Sequence, residues 1–74
     1  MMITQKEIAQ FLDRKACGAS SKQVWFLAGL MLKAGADHAA REIEDMRLDT
    51  NFRLTSREAS SLIDYYLNAQ KQPA

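Results

Sequence analysis

The sequence has little of several features that define common protein classes. It has one cysteine, Cys17, which cannot form an internal disulfide, so a secreted, disulfide-stapled scaffold is excluded. Its net charge is only +1, too small to make a general nucleic-acid-binding or membrane-surface protein from charge alone. The run from Val24 to Leu32 is far shorter than the about 20 apolar residues that cross a bilayer. The first residues, MMITQKE, also lack the pattern of a signal peptide, so we expect a cytoplasmic protein without membrane contact.

Groups that carry chemistry are equally scarce. His38 is the only histidine, and no local spacing pairs it with Cys17 or with carboxylates as metal ligands. The acidic residues of one short stretch lack the glycine and the alternating oxygen ligands of a calcium loop; they are Glu42, Glu44, Asp45 and Asp49. No phosphate-binding loop, nucleophile elbow or zinc pattern is present. We therefore expect no enzymatic activity, no catalytic residues, no metal site and no cofactor.

The most apolar segment is Ser20 to Gly35, and it predicts the helix around which the rest of the chain packs. Ser20 and Gln23 have the spacing of a capping box that opens a helix, and Gly35 is suited to end it. Its apolar positions at 3.6-residue spacing form a wide stripe of Val24, Phe26, Leu27, Ala28, Leu30, Met31, Leu32 and Ala34. A wide stripe predicts more than one neighbouring helix.

Capping signals predict three further helices. Thr4 and Glu7 open the first helix, which ends near Cys17 and Gly18, and Thr55 and Glu58 open the last. Asp37 is the expected N-cap of a short third helix through HAAREIEDM. The apolar faces expected for these three helices are Ile8, Phe11, Leu12 and Ala16, then Ala39, Ala40, Ile43 and Met46, then Ala59, Leu62, Ile63, Tyr66 and Leu67.

The remaining segments predict a loop and a tail. RLDTNFR has no clear period and contains turn-forming residues, so it predicts a loop anchored by Leu48 and Phe52. Residues 70–74 have nothing to bury and include a proline, so we expect a frayed tail after Ala69. The predicted fold is all-α, a small single-domain bundle of four helices with a short third helix over residues 1–74.

Two pairs of adjacent aromatic residues are the candidate protein-interaction residues. They are Trp25 with Phe26 and Tyr65 with Tyr66. Neighbours on a helix diverge by about 100°, so at least one ring of each pair should be partly exposed. By period, Trp25 and Tyr65 are the outer members. Both residue types are enriched at binding hot spots, although rings that only cover the edge of the core would fit the pattern equally well.

Nucleic-acid binding is the alternative function. The first two helices superficially resemble a helix-turn-helix, with Lys22 and Gln23 at the start of the second helix. The connection is long for that motif, and the second helix is the most apolar one. Basic residues could still gather on one side if the loop and the helix starts meet there, and the candidate contacts are Arg14, Lys22, Gln23, Arg53 and Arg57.

Two phrases together resemble a known module. Ser21-Lys22-Gln23, followed by Leu27, Leu30 and Gly35, and then LTSREASSLI from Leu54 to Ile63, resemble a short helical module. It occurs at the C-terminal end of phage single-strand annealing proteins of the Erf type and in related small phage open reading frames. The resemblance covers about residues 20 to 67 and implies a mobile-element origin beside DNA-processing machinery. It does not imply annealing activity, because the annealing domain has no counterpart here.

Taken together, the sequence predicts a small, non-enzymatic interaction protein of phage or mobile-element origin. It would dock on a larger protein of a DNA-processing or host-defence complex, in the second case as an inhibitor. The alternative is a compact, helix-turn-helix-like DNA-binding regulator. Homodimerisation through Trp25 and Tyr65 is compatible with either function.

Overall fold

The computed structural model describes residues 3–71 and confirms the predicted fold, an all-α bundle of four helices with no strand among those residues. The helices are α1 (Gln5–Lys15), α2 (Ser21–Lys33), α3 (Ala36–Leu48) and α4 (Ser56–Lys71). None of the helices within the described part of the chain is long and apolar enough to span a membrane.

Helix α2 is the centre of the bundle and packs against all three other helices. Gln5 at the start of α1 reaches the Trp25 carbonyl, whereas Asp13 near its end lies beside Ser21, so α1 is antiparallel to α2. Helix α4 runs parallel to α2, because its beginning meets Gln23 and its end meets Leu30. The wide apolar stripe of α2 therefore has the several neighbours that it predicted.

Side-chain caps fix the starts of three helices. Thr4 and Glu7 form both bonds of a capping box on α1, and Ser20 and Gln23 do the same on α2, as predicted. At the start of α4, the Thr55 hydroxyl accepts a hydrogen bond from the Glu58 N–H at 3.0 Å. These contacts satisfy backbone donors that a first helical turn leaves without a partner.

Helix α1 ends two residues earlier than predicted, at Lys15, because the chain turns into an extended bridge with the segment before α4. The Cys17 N–H donates to the Leu54 carbonyl at 2.7 Å, and the Leu54 N–H donates to the Lys15 carbonyl at 2.7 Å. Gly18 follows with φ +104°, a value that L side chains rarely adopt. Two backbone bonds thus join parts of the chain that are almost 40 residues apart.

The third helix differs from the prediction in its start and its length. Its N-cap is Gly35 and not Asp37, and it continues through Leu48, so α3 has 13 residues, as many as α2. Gly35 ends one helix and begins the next: its N–H donates to the Leu32 carbonyl, and its carbonyl accepts from the Ala39 N–H. Its φ of +130° explains why glycine fits here. The predicted loop consequently begins at Asp49.

The core is apolar and includes residues from every helix. Its largest fully buried side chains are Ile8, Leu12, Leu27, Met31 and Leu54. Several predicted core positions are only half-buried around these, namely Phe11, Ala16, Leu32, Ile43, Met46, Leu62, Ile63 and Leu67. Ala34 and Ala40 are exposed, contrary to the prediction, because Ala34 caps the end of α2 and Ala40 points about 100° away from the buried Ala39.

The predicted anchors of the loop behave differently from each other. Phe52 packs against the core, but Leu48 is 73% exposed, so the prediction that Leu48 anchors the loop is wrong. Leu48 is the last residue of α3, and it is Leu54, later in the loop, whose side chain is buried in the core. At the end of α4, the Gln70 amide donates to the Leu30 carbonyl at 3.1 Å, so the helix continues past Ala69. Residues 72–74 of the predicted tail lie outside the described residues.

Candidate interaction surface

The two aromatic residues at the middle of α2 both reach the surface. Trp25 is 51% exposed, as predicted, and Phe26 is 48% exposed although its period suggested an inward position. Phe26 lies one turn from Gln23 and one turn from Leu30, which both form hydrogen bonds with α4. Its ring lines an open groove beside Trp25 and is not among the side chains packed against the core. Trp25 and Phe26 give one helix two adjacent, half-exposed rings.

Two open grooves flank Trp25, which lines both of them. The first groove has a volume of about 330 Å³ and lies between α1 and α2, where it is lined by Lys6, Ala9, Gln10, Asp13, Ser21, Val24 and Trp25. The second has a volume of about 320 Å³ and is lined by Gln5, Trp25, Phe26, Gly29, Leu30 and Lys33. We call Trp25, Phe26 and the two grooves the Trp25 face. Trp25 forms an apolar ridge between the two grooves, and a side chain of a partner could bind in either groove.

The second groove depends on a close approach of α1 to α2. The Gln5 side-chain amide donates to the Trp25 carbonyl at 3.0 Å. A Cβ atom built on Gly29 would lie 2.8 Å from the Gln5 Nε2 atom, so only glycine lets the amide occupy this position. The glycine that interrupts the apolar run of α2 thus has a structural reason. Gln5 and Gly29 were not among the candidate residues, and the glycine within a helical pattern was the signal that could have found them.

The second aromatic pair divides between surface and core. Tyr65 is 63% exposed, as predicted, whereas Tyr66 is 5% exposed, which removes its ring from any external partner. The two rings meet edge to face, with centroids 5.4 Å apart. Tyr65 lines neither groove of the Trp25 face. The four candidate aromatics therefore do not form one surface: Trp25 and Phe26 share a face, and Tyr65 is exposed elsewhere.

Tyr66 has polar partners on α3. Its hydroxyl lies 2.8 Å from His38 Nε2, and the two rings meet edge to face with centroids 5.7 Å apart. Glu42 Oε1 is 4.0 Å from the same histidine nitrogen. Burial of the phenol, then the negative charge of Glu42, then the neighbouring Tyr65, raise the pKa of Tyr66 to about 12. The link between His38 and Tyr66 has no local sequence signal, because 28 residues separate the two.

The candidate nucleic-acid contacts meet at one end of the bundle. The Ala16–Leu54 bridge brings the end of α1 to the start of α4, and the Gln23 amide joins the starts of α2 and α4 through bonds to the Ser60 hydroxyl and the Ser56 carbonyl. Exposed basic residues surround this meeting point, namely Arg14, Lys22, Arg53 and Arg57, with Lys15 half-buried beside them. We call these five residues the basic end.

Two of the candidate contacts already have partners within the protein. Gln23 uses its amide oxygen to accept from the Ser20 N–H and its amide nitrogen to bond Ser60. Arg53 Nη1 donates to the carbonyls of Thr50 and Phe52. Within residues 3–71, the basic-end side chains that make no hydrogen bond or ion pair are those of Arg14, Lys15, Lys22 and Arg57, of which Lys15 is half-buried.

Comparisons with known proteins add no assignment to this geometry. No family model, curated protein sequence or solved structure matches the chain. Within residues 3–71, histidine, cysteine and carboxylate side chains form no group of three that could hold a metal ion.

Proposed function

We propose that this protein is a small, non-enzymatic interaction module that docks on a larger protein through its Trp25 face. The observation that carries the proposal is the pair of adjacent rings on α2, each about half exposed beside an open groove. Tryptophan contributes large contact area and a polar N–H, and it is enriched among residues that dominate binding energy. Binding of a partner over an apolar face of this kind lowers the free energy, because it removes apolar surface from water.

The lining of the grooves indicates the chemistry of the partner. The exposed lining of both grooves is mostly apolar, and Lys6, near the start of α1, lines the first groove, whereas Lys33, at the end of α2, lines the second. Asp13 lies at the opposite end of the first groove. An apolar segment with carboxylate side chains near these two lysines complements this arrangement. Charge complementarity of this kind sets the orientation and the rate of association more than the affinity.

The resemblance to the helical module of Erf-type phage proteins supports a more specific context. The residues that carry it are the caps and core positions of α2 and α4, such as Ser21-Lys22-Gln23 and the LTSREASSLI segment. On that basis the partner belongs to a DNA-processing complex of a phage or mobile element, or to a host-defence complex that the protein inhibits. Both partners would use the Trp25 face.

The test compares a variant in the face with a matched variant outside it. Trp25→Ser removes the ridge, and Leu48→Ser removes an exposed apolar side chain at the end of α3. Immobilised wild type and both variants capture proteins from cells in which the chain occurs, and each captured protein is then purified and titrated by calorimetry.

We expect one purified partner whose affinity falls by about 30-fold or more in Trp25→Ser, as for a hot-spot residue, and is unchanged in Leu48→Ser. Substitution of carboxylates on that partner should weaken binding to the wild type and not to a Lys6 and Lys33 double variant. Equal binding of the partner to Trp25→Ser and to the wild type would overturn the proposal.

A further inference from the structure

The basic end concentrates positive charge that the chain as a whole does not have. Its five residues are half of the ten basic residues, and the same segments of the chain carry three of the nine acidic ones, Asp13, Asp49 and Glu58. The remainder of the chain has five basic and six acidic residues. A protein of net charge +1 therefore has one end with an excess of two positive charges, and the other surfaces are slightly negative.

The fold creates this concentration, because its members come from three separate segments. Arg14 and Lys15 end α1, Lys22 is in the first turn of α2, and Arg57 is in the first turn of α4. The two 2.7 Å bonds of the Ala16–Leu54 bridge hold the first and last of these segments together. The backbone N–H of Ser56 lies only 3.7 Å from the position of a Cβ atom on Gly18. Direct backbone contacts therefore hold the end of α1 against the start of α4.

Besides the exposed carboxylates of Asp13, Asp49 and Glu58 and the exposed Cys17, this end carries several small polar residues. Between the basic residues lie the exposed Gly18, Ser20, Ser21, Thr55 and Ser56. Phosphate oxygens in nucleic-acid complexes are bound by such groups together with arginine and lysine, namely hydroxyls and backbone N–H groups. The starts of α2 and α4 add a small positive field on the same side, although the basic side chains are the main source of charge.

We infer that the basic end is a docking surface for the phosphate backbone of nucleic acid. This inference is independent of the proposed function, because it uses neither Trp25 nor Phe26, although Asp13 and Ser21 also line the first groove. Contacts with bases are not part of it, since the Gln23 amide is engaged within the protein and α2 is packed among the other helices. Binding should consequently be independent of sequence and sensitive to salt.

The number of free cations sets the expected salt dependence. Four phosphate contacts, from Arg14, Lys15, Lys22 and Arg57, would give a slope of log affinity against log salt of about −3.6 on duplex DNA. Affinity should then fall about 100-fold between 50 and 200 mM salt. A single strand should give a shallower slope, of about −2.8. Fluorescence anisotropy with a labelled 20-base-pair duplex and a labelled 20-nucleotide single strand measures both slopes.

A pair of charge-reversal variants tests the location. Lys22→Glu with Arg57→Glu changes the basic end, whereas Lys6→Glu with Arg41→Glu makes the same change in net charge away from it. Lys6, Lys22 and Arg57 each occupy the second position of a helix, where a carboxylate interacts favourably with the helix dipole, so these variants should fold. Circular dichroism checks that they do.

We expect the first variant to lose at least tenfold in affinity at 50 mM salt and the second to lose less than threefold. Equal losses would mean that binding follows net charge alone and would overturn the inference. So would the absence of binding at 50 mM salt, or equally strong competition by polyglutamate, which would indicate an acidic protein as ligand. Trp25→Ser should bind DNA like the wild type, which separates this result from the test of the Trp25 face.

Discussion

The Tyr66 hydroxyl and His38 Nε2 lie 2.8 Å apart and connect two helices whose backbones do not approach each other. Among the described residues, no Cα atom of α3 lies within 8 Å of a Cα atom of α4. Helix α2 packs against both α3 and α4, and the hydrogen bond between His38 and Tyr66 is a direct link between those two helices. Because the Tyr66 ring is buried, the histidine supplies a partner for a hydroxyl that would otherwise lose one on folding.

The hydrogen bond between His38 and Tyr66 should be measurable as a coupling energy. In a double-mutant cycle of His38→Ala and Tyr66→Phe, we expect a coupling of about 1 kcal/mol, the usual net value of a protein hydrogen bond. His38→Ala alone should cost about 1–3 kcal/mol, because it leaves the part-buried Tyr66 hydroxyl without this partner. Urea unfolding of the four proteins provides the free energies. Tyr65→Phe combined with His38→Ala is the control and should show no coupling; a similar value for both tyrosines would contradict the contact.

Alkaline pH should destabilise the protein through Tyr66. The pKa of this phenol is raised from 10.0 to about 12 in the folded state, by burial first and by the charge of Glu42 second. Between these values the folded protein keeps a proton that the unfolded chain releases, so stability falls as pH rises from 10 to 12, by at most about 1.4 kcal/mol per pH unit. Tyr66→Phe should lack this decline relative to the wild type. Urea unfolding of both proteins at pH 9 to 12 measures the difference, and parallel profiles would rule out the raised pKa.

Leu48, at the end of α3, and Leu54, in the loop before α4, should differ sharply in their contribution to stability. Leu54 is fully buried, and Leu54→Ala should cost about 2–5 kcal/mol, the range for truncation of a core leucine. Leu48 is largely exposed, and Leu48→Ala should change stability by no more than about 0.5 kcal/mol. Thermal and urea unfolding measure both values. A large loss in Leu48→Ala would show that this side chain is covered in solution, for example by a second copy of the chain.

The fold was predictable from local signals, and the errors of the prediction arose where contacts between distant residues determine the structure. Capping boxes at Thr4 and Ser20 and the apolar period of α2 are properties of short segments, so the sequence alone locates those helices. The end of α1 depends on backbone bonds to Leu54, and the exposure of Leu48 depends on how α3 packs. Neither the end of α1 nor the exposure of Leu48 is indicated by the sequence within a few residues of that position.

The same reason limits prediction of the candidate surfaces. The exposure of Trp25 and Tyr65 follows from the divergence of adjacent residues on a helix, and it was predicted. The exposure of Phe26 was not, because the apolar period of α2 includes this position and only the tertiary structure determines that its ring is left half exposed. The gathering of Lys22 and Arg57 depended on whether the helix starts meet, which only the tertiary structure determines.

Gly29 allows a prediction about how α1 is held against the Trp25 face. Alanine in place of a glycine within a helix usually adds about 1 kcal/mol of stability. In this protein the new methyl group would meet Gln5 Nε2 at 2.8 Å and displace the amide from the Trp25 carbonyl. That loss offsets most of the gain, since a hydrogen bond contributes about 0.5–1.5 kcal/mol.

We therefore expect Gly29→Ala to be nearly neutral in the wild-type background and to stabilise by about 1 kcal/mol in a Gln5→Ala background, where no amide has to move. Urea unfolding of the four proteins gives both differences. The displaced amide should also loosen the second groove, so Gly29→Ala should change the fluorescence of Trp25, the only tryptophan, whereas the same substitution in the Gln5→Ala background should not. Equal stabilisation in the two backgrounds would mean that Gln5 does not occupy the space beside Gly29.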